Sequence, residues 1–125
     1  MKKIIYSPGE PSGIGPDLII KLSSSNLWED LKIPIVSIGD PKLFIDRAAV
    51  LKKKIQIVEL ESLNEVSKNT RGLLQIIKVT KCSNTRPGKL YKSNAQYVLN
   101  NLTYSIEQTM QNEETALVTG PLSKE

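Results

Sequence analysis

The stretch that most constrains this chain is Ser7-Pro8-Gly9-Glu10-Pro11-Ser12-Gly13-Ile14-Gly15-Pro16-Asp17. It lies between a short apolar run, Ile4-Ile5-Tyr6, and an apolar helix-like stretch, Leu18-Ile19-Ile20-Lys21-Leu22. Residues 8–17 hold three glycines and three prolines. Gly permits φ > 0 and Pro locks φ, so together they impose a defined backbone path between two apolar segments. The loop is not a phosphate-binding P-loop, because no Gly-Lys-Ser/Thr follows. Nor is it a full dinucleotide fingerprint: in Gly13-x-Gly15-x-x-Leu18 a leucine stands where the third small residue belongs. A helix N-terminus binds phosphate through free N–H groups. Here Pro16, read as the first helical residue, has none, and Asp17 already brings negative charge to that end. Two readings stay open: a loop whose backbone approaches a ligand closely, with Glu10 as its polar contribution, or a tight strand-to-helix turn without a ligand.

At 125 residues the chain has the length of one domain with its own core. Its 39% hydrophobic and 24% charged residues describe an ordinary water-soluble protein. The net charge of +4 is spread along the sequence, and Lys52-Lys53-Lys54, the only basic run, suits a solvated helix end. Nothing interleaves aromatic with basic residues, so nucleic acid is not an expected partner. Cys82 is the only cysteine, which excludes an internal disulfide and fits a reducing cytoplasm. The chain has no histidine, which removes imidazole acid–base chemistry and imidazole metal ligation. The apolar run after Met1-Lys2-Lys3 is too short for a signal peptide or a membrane span, so a cytoplasmic setting without membrane contact is expected.

Strand and helix signals alternate. Strands are expected at 4–6, 33–39, 55–58, 73–79 and 115–119, the last one buried. Helices are expected at 16–25, after Asp40, and from the capping box Ser93-x-x-Gln96 onward. Asp40-Pro41 reads as an N-cap followed by proline at the first helical position. In that helix Leu43, Phe44, Arg47, Ala48 and Leu51 share helical spacing, leaving Lys42, Asp46 and Lys53 to solvent. In the long helix Ala95, Val98, Leu99, Leu102, Ile106 and Met110 follow the 3.6-residue period. Residues 61–71 are polar, a loop or a helical turn, and Thr85-Arg86-Pro87-Gly88-Lys89 is a turn. The alternation predicts a single α/β segment with a mainly parallel sheet and flanking helices. Ligands of such sheets bind beyond the carboxyl ends of the strands. Loops carrying Glu10, Asp40 and Lys124 all follow strand ends and are expected at one edge; for Asp40 the N-cap alone is a sufficient role.

These segments together resemble the 4-hydroxythreonine-4-phosphate dehydrogenase family. Its opening pattern, Thr-Pro-Gly-Glu-Pro-Ala-Gly-Ile-Gly-Pro, differs from this sequence only at Ser7 and Ser12. Gly39-Asp40-Pro41 with Asp46-Arg47-Ala48 is similar to the family's second strand and helix. Pro87-Gly88-Lys89-Leu90 and Thr119-Gly120-Pro121-Leu122-Ser123-Lys124 resemble its Pro-Gly-Lys-Leu and Thr-Gly-Pro-x-x-Lys stretches. The resemblance runs over all 125 residues, but only over the front part of a family more than twice as long. It implies the N-terminal part of a two-lobed enzyme with an isocitrate/isopropylmalate dehydrogenase-like fold, working as a homodimer. It further implies NAD(P)-dependent oxidation of 4-phosphohydroxy-L-threonine, a small phosphorylated substrate. The resulting β-keto acid decarboxylates to aminoacetone phosphate on the way to pyridoxal 5'-phosphate (vitamin B6). NAD or NADP and a divalent metal (Zn, Mg or Co) are the implied cofactors. The histidines that hold the metal have no counterpart here, so no metal ligand and no catalytic residue is assigned. Glu10, Gly13, Gly15 and Lys124 are the expected cofactor-binding or cleft-lining residues. Two alternatives accompany this reading: a non-catalytic truncated remnant serving as a folding or binding module, and a related dehydrogenase of other four-carbon phosphorylated hydroxy acids. The 125-residue segment alone is expected to be inactive and prone to association through its last strand.

Overall fold

Five parallel strands alternate with helices in a computed structural model that describes residues 2–82 and 94–121. The elements are β1 (Lys3–Ser7), α1 (Gly15–Ser23), α2 (Leu27–Asp30), β2 (Ile35–Ile38), α3 (Pro41–Val50), β3 (Gln56–Leu60), a 3-10 turn (Leu63–Glu65), β4 (Leu73–Ile77), α4 (Ala95–Gln111) and β5 (Thr115–Thr119). The sheet order is β3-β4-β2-β1-β5. Ile5 pairs with Val36 on one side and with Leu117 on the other, and Ser37 pairs with Ile76. Every neighbouring pair is parallel, so all carboxyl ends open onto one edge, as the mainly parallel expectation required.

The sequence of β2 explains its central place. Ile35, Val36, Ser37 and Ile38 are all buried, since helices cover both faces and neither side of the strand meets water. On one face Tyr6, Ile35, Leu74 and Ile76 pack against Ile19, Ile20, Trp28, Leu43 and Phe44 of α1, α2 and α3. On the other, Ile5, Val36, Ile38 and Ile77 meet Leu60, Leu63 and Val66, with Tyr104 and Leu117 packed alongside. Trp28 is fully buried, and its indole N–H donates to Leu73 O at 3.1 Å, which satisfies the one polar atom such burial strands.

The helix after Asp40 forms as its spacing predicts. Asp40 caps it by accepting from Lys42 N at 3.1 Å, Pro41 takes the first position, and Lys42 and Asp46 pair on the exposed face. Residues 61–71 hold a short 3-10 turn with its own capping box, Ser62 and Glu65.

Two expectations fail. The strand at 115–119 is not buried: β5 is an edge strand, with Ala116, Val118 and Thr119 exposed. The regular apolar stripe of α4 does not face the core either. Tyr97, Asn101 and Ser105 are the buried positions, while Leu99, Ile106 and Met110 are exposed. At 100° per residue the stripe and the buried row lie roughly 130° apart around the helix. The physical reason is that α4 lies against β1 and β5 through small or hydrogen-bonding side chains. Ser105 Oγ donates back to Asn101 O at 2.7 Å, so its hydroxyl needs no outside partner. The capping box at Ser93, the turn at 85–89 and the segment 122–125 fall outside the described residues.

Candidate functional site

The carboxyl edge of the sheet collects the loops after β1, β2, β4 and β5. The connection after β2 leads to α3 on one face, whereas the chain beyond β4 next forms α4 on the other. Adjacent strands whose connections leave toward opposite faces open a crevice between their ends, the usual ligand position in open α/β sheets. Here that switch point lies between β2 and β4.

Asp40 stands at this point. Its backbone N–H donates to Tyr97 Oη at 2.9 Å, Oδ1 accepts from Lys42 N, and Oδ2 accepts from Cys82 N at 2.9 Å. Asp40 is buried and both carboxylate oxygens are taken by backbone, so it pins the β2 and β4 loops together. This buried carboxylate already accepts one backbone N–H on each oxygen, which suits a positioning role. Gly39 is small of necessity: a Cβ there would lie 2.6 Å from Phe44 and 3.0 Å from Tyr97 Oη.

The opening loop is held by a residue its own sequence does not contain. Arg47 of α3, only 3% exposed, donates through Nη1 to Gly13 O at 3.1 Å and to Asp17 Oδ1 at 2.6 Å, and through Nη2 to Pro11 O at 2.5 Å. A planar fork with several donors suits three acceptors arranged around it, which a lysine point charge does not. Asp17 therefore serves the guanidinium as well as the first turn of α1.

Glu10 is half-buried in this loop. Its Oε1 accepts from Ser12 N at 3.3 Å, and its carbonyl accepts from Gly13 N at 3.0 Å. Gly13 and Gly15 meet different neighbours: a Cβ on Gly15 would sit 1.9 Å from Pro8 O, one on Gly13 3.3 Å from Glu10 O. The close approach at Gly15 is thus to the protein's own Pro8 carbonyl, which also abuts Gly120 at the end of β5. Tyr6 Oη donates to Gly15 O at 2.9 Å and closes the fold of the loop from below. Gly9, at φ 83°, supplies the left-handed turn after Pro8. Lys124 lies outside the described residues.

Glu10, Asp40, Arg47 and Cys82 sit near enough to feel one another. The Cys82 thiol is pushed up to about 12, by burial first, then by the negative Asp40 and Glu10, with Arg47 opposing. Such a thiol stays protonated and is not a nucleophile. Burial also raises Tyr97. Among the described residues, four buried polar atoms have no hydrogen-bond partner: Ser12 Oγ, Ser37 Oγ, Thr80 Oγ1 and Asn101 Oδ1. Ser12 belongs to the opening loop and Thr80 to the segment after β4, so two of the four lie in loops at the carboxyl edge.

The residues present do not fit a divalent metal. Among the described residues no three His, Cys, Asp or Glu side chains come together, and the chain has no imidazole. The N-terminus of α1 does not fit a pyrophosphate either, since Pro16 lacks an N–H, Pro8 O crowds Gly15 and Asp17 brings negative charge. The edge supplies a shaped wall with one half-buried carboxylate, Glu10. Sequence reasoning placed Asp40 and the inward face of Arg47 but not the Arg47 clamp or the Tyr97 and Cys82 contacts. The signal for the first was a cation at an inward helical position.

Comparison with known proteins gives the family of the chain. Residues 30–125 match the model of a family described as pyridoxal phosphate biosynthetic protein PdxA. The chain is 37% identical over 123 residues to a 4-hydroxythreonine-4-phosphate dehydrogenase of Shewanella frigidimarina, covering 98% of this chain and 36% of the relative. It is 34% identical over 122 residues to the protein of the same name from Yersinia pseudotuberculosis, again covering 98% and 36%. Among solved structures it superposes on 4-hydroxythreonine-4-phosphate dehydrogenases from Burkholderia phymatum (TM-score 0.87, 18% identity, 99% of this chain and 37% of that one) and Klebsiella pneumoniae (TM-score 0.85, 22% identity, 99% and 38%). The fold class is therefore the expected one, a parallel α/β segment of an isocitrate/isopropylmalate dehydrogenase-like fold. This chain spans 36% of the length of the relatives it matches. It belongs to the PdxA family of pyridoxal phosphate biosynthetic proteins.

Proposed function

We propose that this chain is the N-terminal part of an NAD(P)-dependent dehydrogenase that oxidises 4-phosphohydroxy-L-threonine. The carbon bearing the secondary hydroxyl loses a hydride to the nicotinamide, and the hydroxyl loses its proton to solvent. The β-keto acid so formed loses carbon dioxide to leave aminoacetone phosphate, a precursor of pyridoxal 5'-phosphate. The observation that supports this most is the 37% identity over 123 residues to a protein named for that activity. In this reading the loop with Glu10, Gly13 and Gly15, together with Lys124, lines a cofactor or substrate cleft at the carboxyl edge. The chain's own share of the work is to hold that wall rigid through Arg47, Asp17 and Asp40. The divalent metal, when bound, would polarise the hydroxyl and the ketone, and its ligands would come from outside these 125 residues. A homodimer in the cytoplasm belongs to the same proposal. The other four-carbon phosphorylated hydroxy acids remain substrates of the same reaction class, because no described residue discriminates among them.

The absence of histidine and of any metal-ligand cluster among the described residues favours a second reading for the isolated chain, a binding or folding module without turnover. One assay separates the two. The 125-residue chain and the full product of its reading frame are each given 4-phosphohydroxy-L-threonine, NAD or NADP and a divalent metal, and reduced nicotinamide is followed by absorbance. Metal-dependent turnover only by the longer product supports the dehydrogenase reading. Turnover by neither, under conditions where the Shewanella relative is active, refutes it.

A further inference from the structure

β3 ends the sheet opposite β5, and among the described residues it pairs only with β4. In a parallel ladder alternate residues turn both backbone groups to the same neighbour. Gln56 N donates inward to Gly72 O at 2.7 Å, and Val58 and Leu60 share its parity. Ile57 and Glu59 therefore present their N–H and C=O groups to the open side. Beside this edge runs a groove of about 580 Å³ between α3 and β3, floored by Ile45, Ala49, Ile55 and Ile57, with Lys53 at its rim. Ile45 is 54% exposed and Ile57 partly so. The charges along the edge are sorted by sign. Lys52-Lys53-Lys54 stand before the strand, and Glu59 and Glu61 stand at its far end. All five are exposed, and none joins an ion pair among the described residues.

We propose that the β3 edge is a contact for a second copy of this chain, joined antiparallel about a twofold axis at Val58 so that the two sheets become one. The occupant follows from charge complementarity carried on one strand. Antiparallel pairing lays the lysine end of each copy against the glutamate end of the other, and the twofold makes that match twice. Parallel pairing would set lysine on lysine and glutamate on glutamate. Lysine on an edge ordinarily keeps other strands away. With carboxylates at the opposite end, the same lysines reject one direction and favour the other. The backbone fits as well. About Val58, Ile57 of each copy faces Glu59 of the other, and each such pair exchanges two hydrogen bonds, so the outward N–H and C=O groups of both residues are satisfied. The twofold also keeps like faces on the same side, so the two grooves open onto each other. Ile45 and Ile57 of the two copies then meet across the seam, and burial of that apolar surface adds an attraction that salt does not screen.

The test exchanges charges on the full product of the reading frame and reads sedimentation and amide exchange, so it is independent of the dehydrogenase assay. The parent should gain mass between roughly 1 and 500 µM, the range of a small interface. A homodimer formed through another surface sets the mass at the dilute limit, and this contact adds to it. Over the same range the Ile57 and Glu59 amides should slow by roughly fivefold or more, while those of Val58 and Leu60, already turned to β4, hold steady. Salt at about 0.5 M should weaken the association, because the charge pairs are exposed. Lys53→Glu with Lys54→Glu leaves the edge mainly negative, and Glu59→Lys with Glu61→Lys leaves it wholly positive. Each variant alone should lose the association, and the two mixed should regain it at one to one. All four positions are exposed, so unchanged circular dichroism is expected of both. If one variant fails to fold, the other variant and the parent's Ile57 and Glu59 amides decide. The proposal is overturned if the parent gains no mass, or if it gains mass with those two amides unchanged, which puts the contact on another surface. It is equally overturned if a folded variant associates as the parent does, or if the mixture of folded variants does not associate.

Discussion

At the scale of single residues, the opening loop is fixed by contacts that a glycine count does not reveal. Gly15 and Gly13 look alike in the sequence, yet a Cβ on Gly15 would overlap Pro8 O at 1.9 Å and one on Gly13 would stop 3.3 Å from Glu10 O. Backbone on both sides leaves Gly15 nowhere to relax. Gly15→Ala should therefore cost about 3 kcal/mol, at the upper end of overpacking, and Gly13→Ala less than about 1. Urea unfolding of both variants checks this, and equal losses would show that the loop yields at Pro8. Arg47 is the second single-residue case. Removing it leaves Asp17 and the Pro11 and Gly13 carbonyls without their donor in a site where the guanidinium is almost wholly buried. Breaking such a pair from one side costs roughly 3–5 kcal/mol, so Arg47→Met should approach the limit of a small domain's stability. Asp17→Asn added to Arg47→Met should cost less than the two changes summed, because the orphaned charge disappears with its partner. A strictly additive double variant would show that the ion pair is not the source of the loss.

At the scale of elements, what could be read from the sequence divides by physical cause. Local chemistry was legible: Asp40-Pro41 announced the start of α3, and the positions spaced with Leu43 and Phe44 announced its buried face, Arg47 included. Strand existence was legible from the apolar runs, and parallel order from their alternation with helices. The face of α4 was not. Periodicity reports that a helix has an apolar stripe but not which surface covers it, and here the covered row is Tyr97, Asn101 and Ser105. For β5 the sequence supported both a buried strand and an association-prone edge, since an apolar run is expected of a strand buried by this chain and of one covered by another. In the candidate site the loops were legible from their Gly and Pro content, but the clamp was not, because Arg47 lies 30 positions beyond Asp17. The same holds for Asn69, in the polar stretch read as a loop or a helical turn. Its Oδ1 accepts from Ile35 N at 3.0 Å, and its amide donates to Ile33 O at 3.0 Å and Leu31 O at 3.3 Å, tying the entry of β2 to the loop before β4. Asn69→Ala leaves a buried backbone donor unpaired and should cost about 2–3 kcal/mol, against under about 0.5 for the exposed neighbour Lys68→Ala. Chemical denaturation measures both. A loss at Asn69 no larger than at Lys68 would mean that water replaces the amide.

At the scale of the whole molecule, the titrating groups that the fold perturbs upward predict how its stability depends on pH. Burial raises Tyr6, Tyr97 and Tyr104 above their ordinary 10.0. Cys82 is pushed from its ordinary 9.0 up to about 12. For each of these groups the folded protein favours the neutral form. Below about pH 9 both folded and unfolded chains keep these protons, and the contribution is fully present. As pH rises the unfolded chain releases protons that the folded chain retains, so each step upward favours unfolding. The thiol contribution falls first, from pH 9 to about 12, and the tyrosines join from about pH 10. Tyr6 adds a structural loss when it ionises, because its hydroxyl then no longer donates to Gly15 O beneath the opening loop. Urea midpoints taken at pH 8, 9.5 and 10.5 should therefore fall progressively, and Cys82→Ala should make the first part of that fall shallower. A midpoint that stays level to pH 10.5, or a Cys82→Ala slope equal to that of the parent, would show that water reaches Cys82 beside Asp40 well enough to solvate a thiolate.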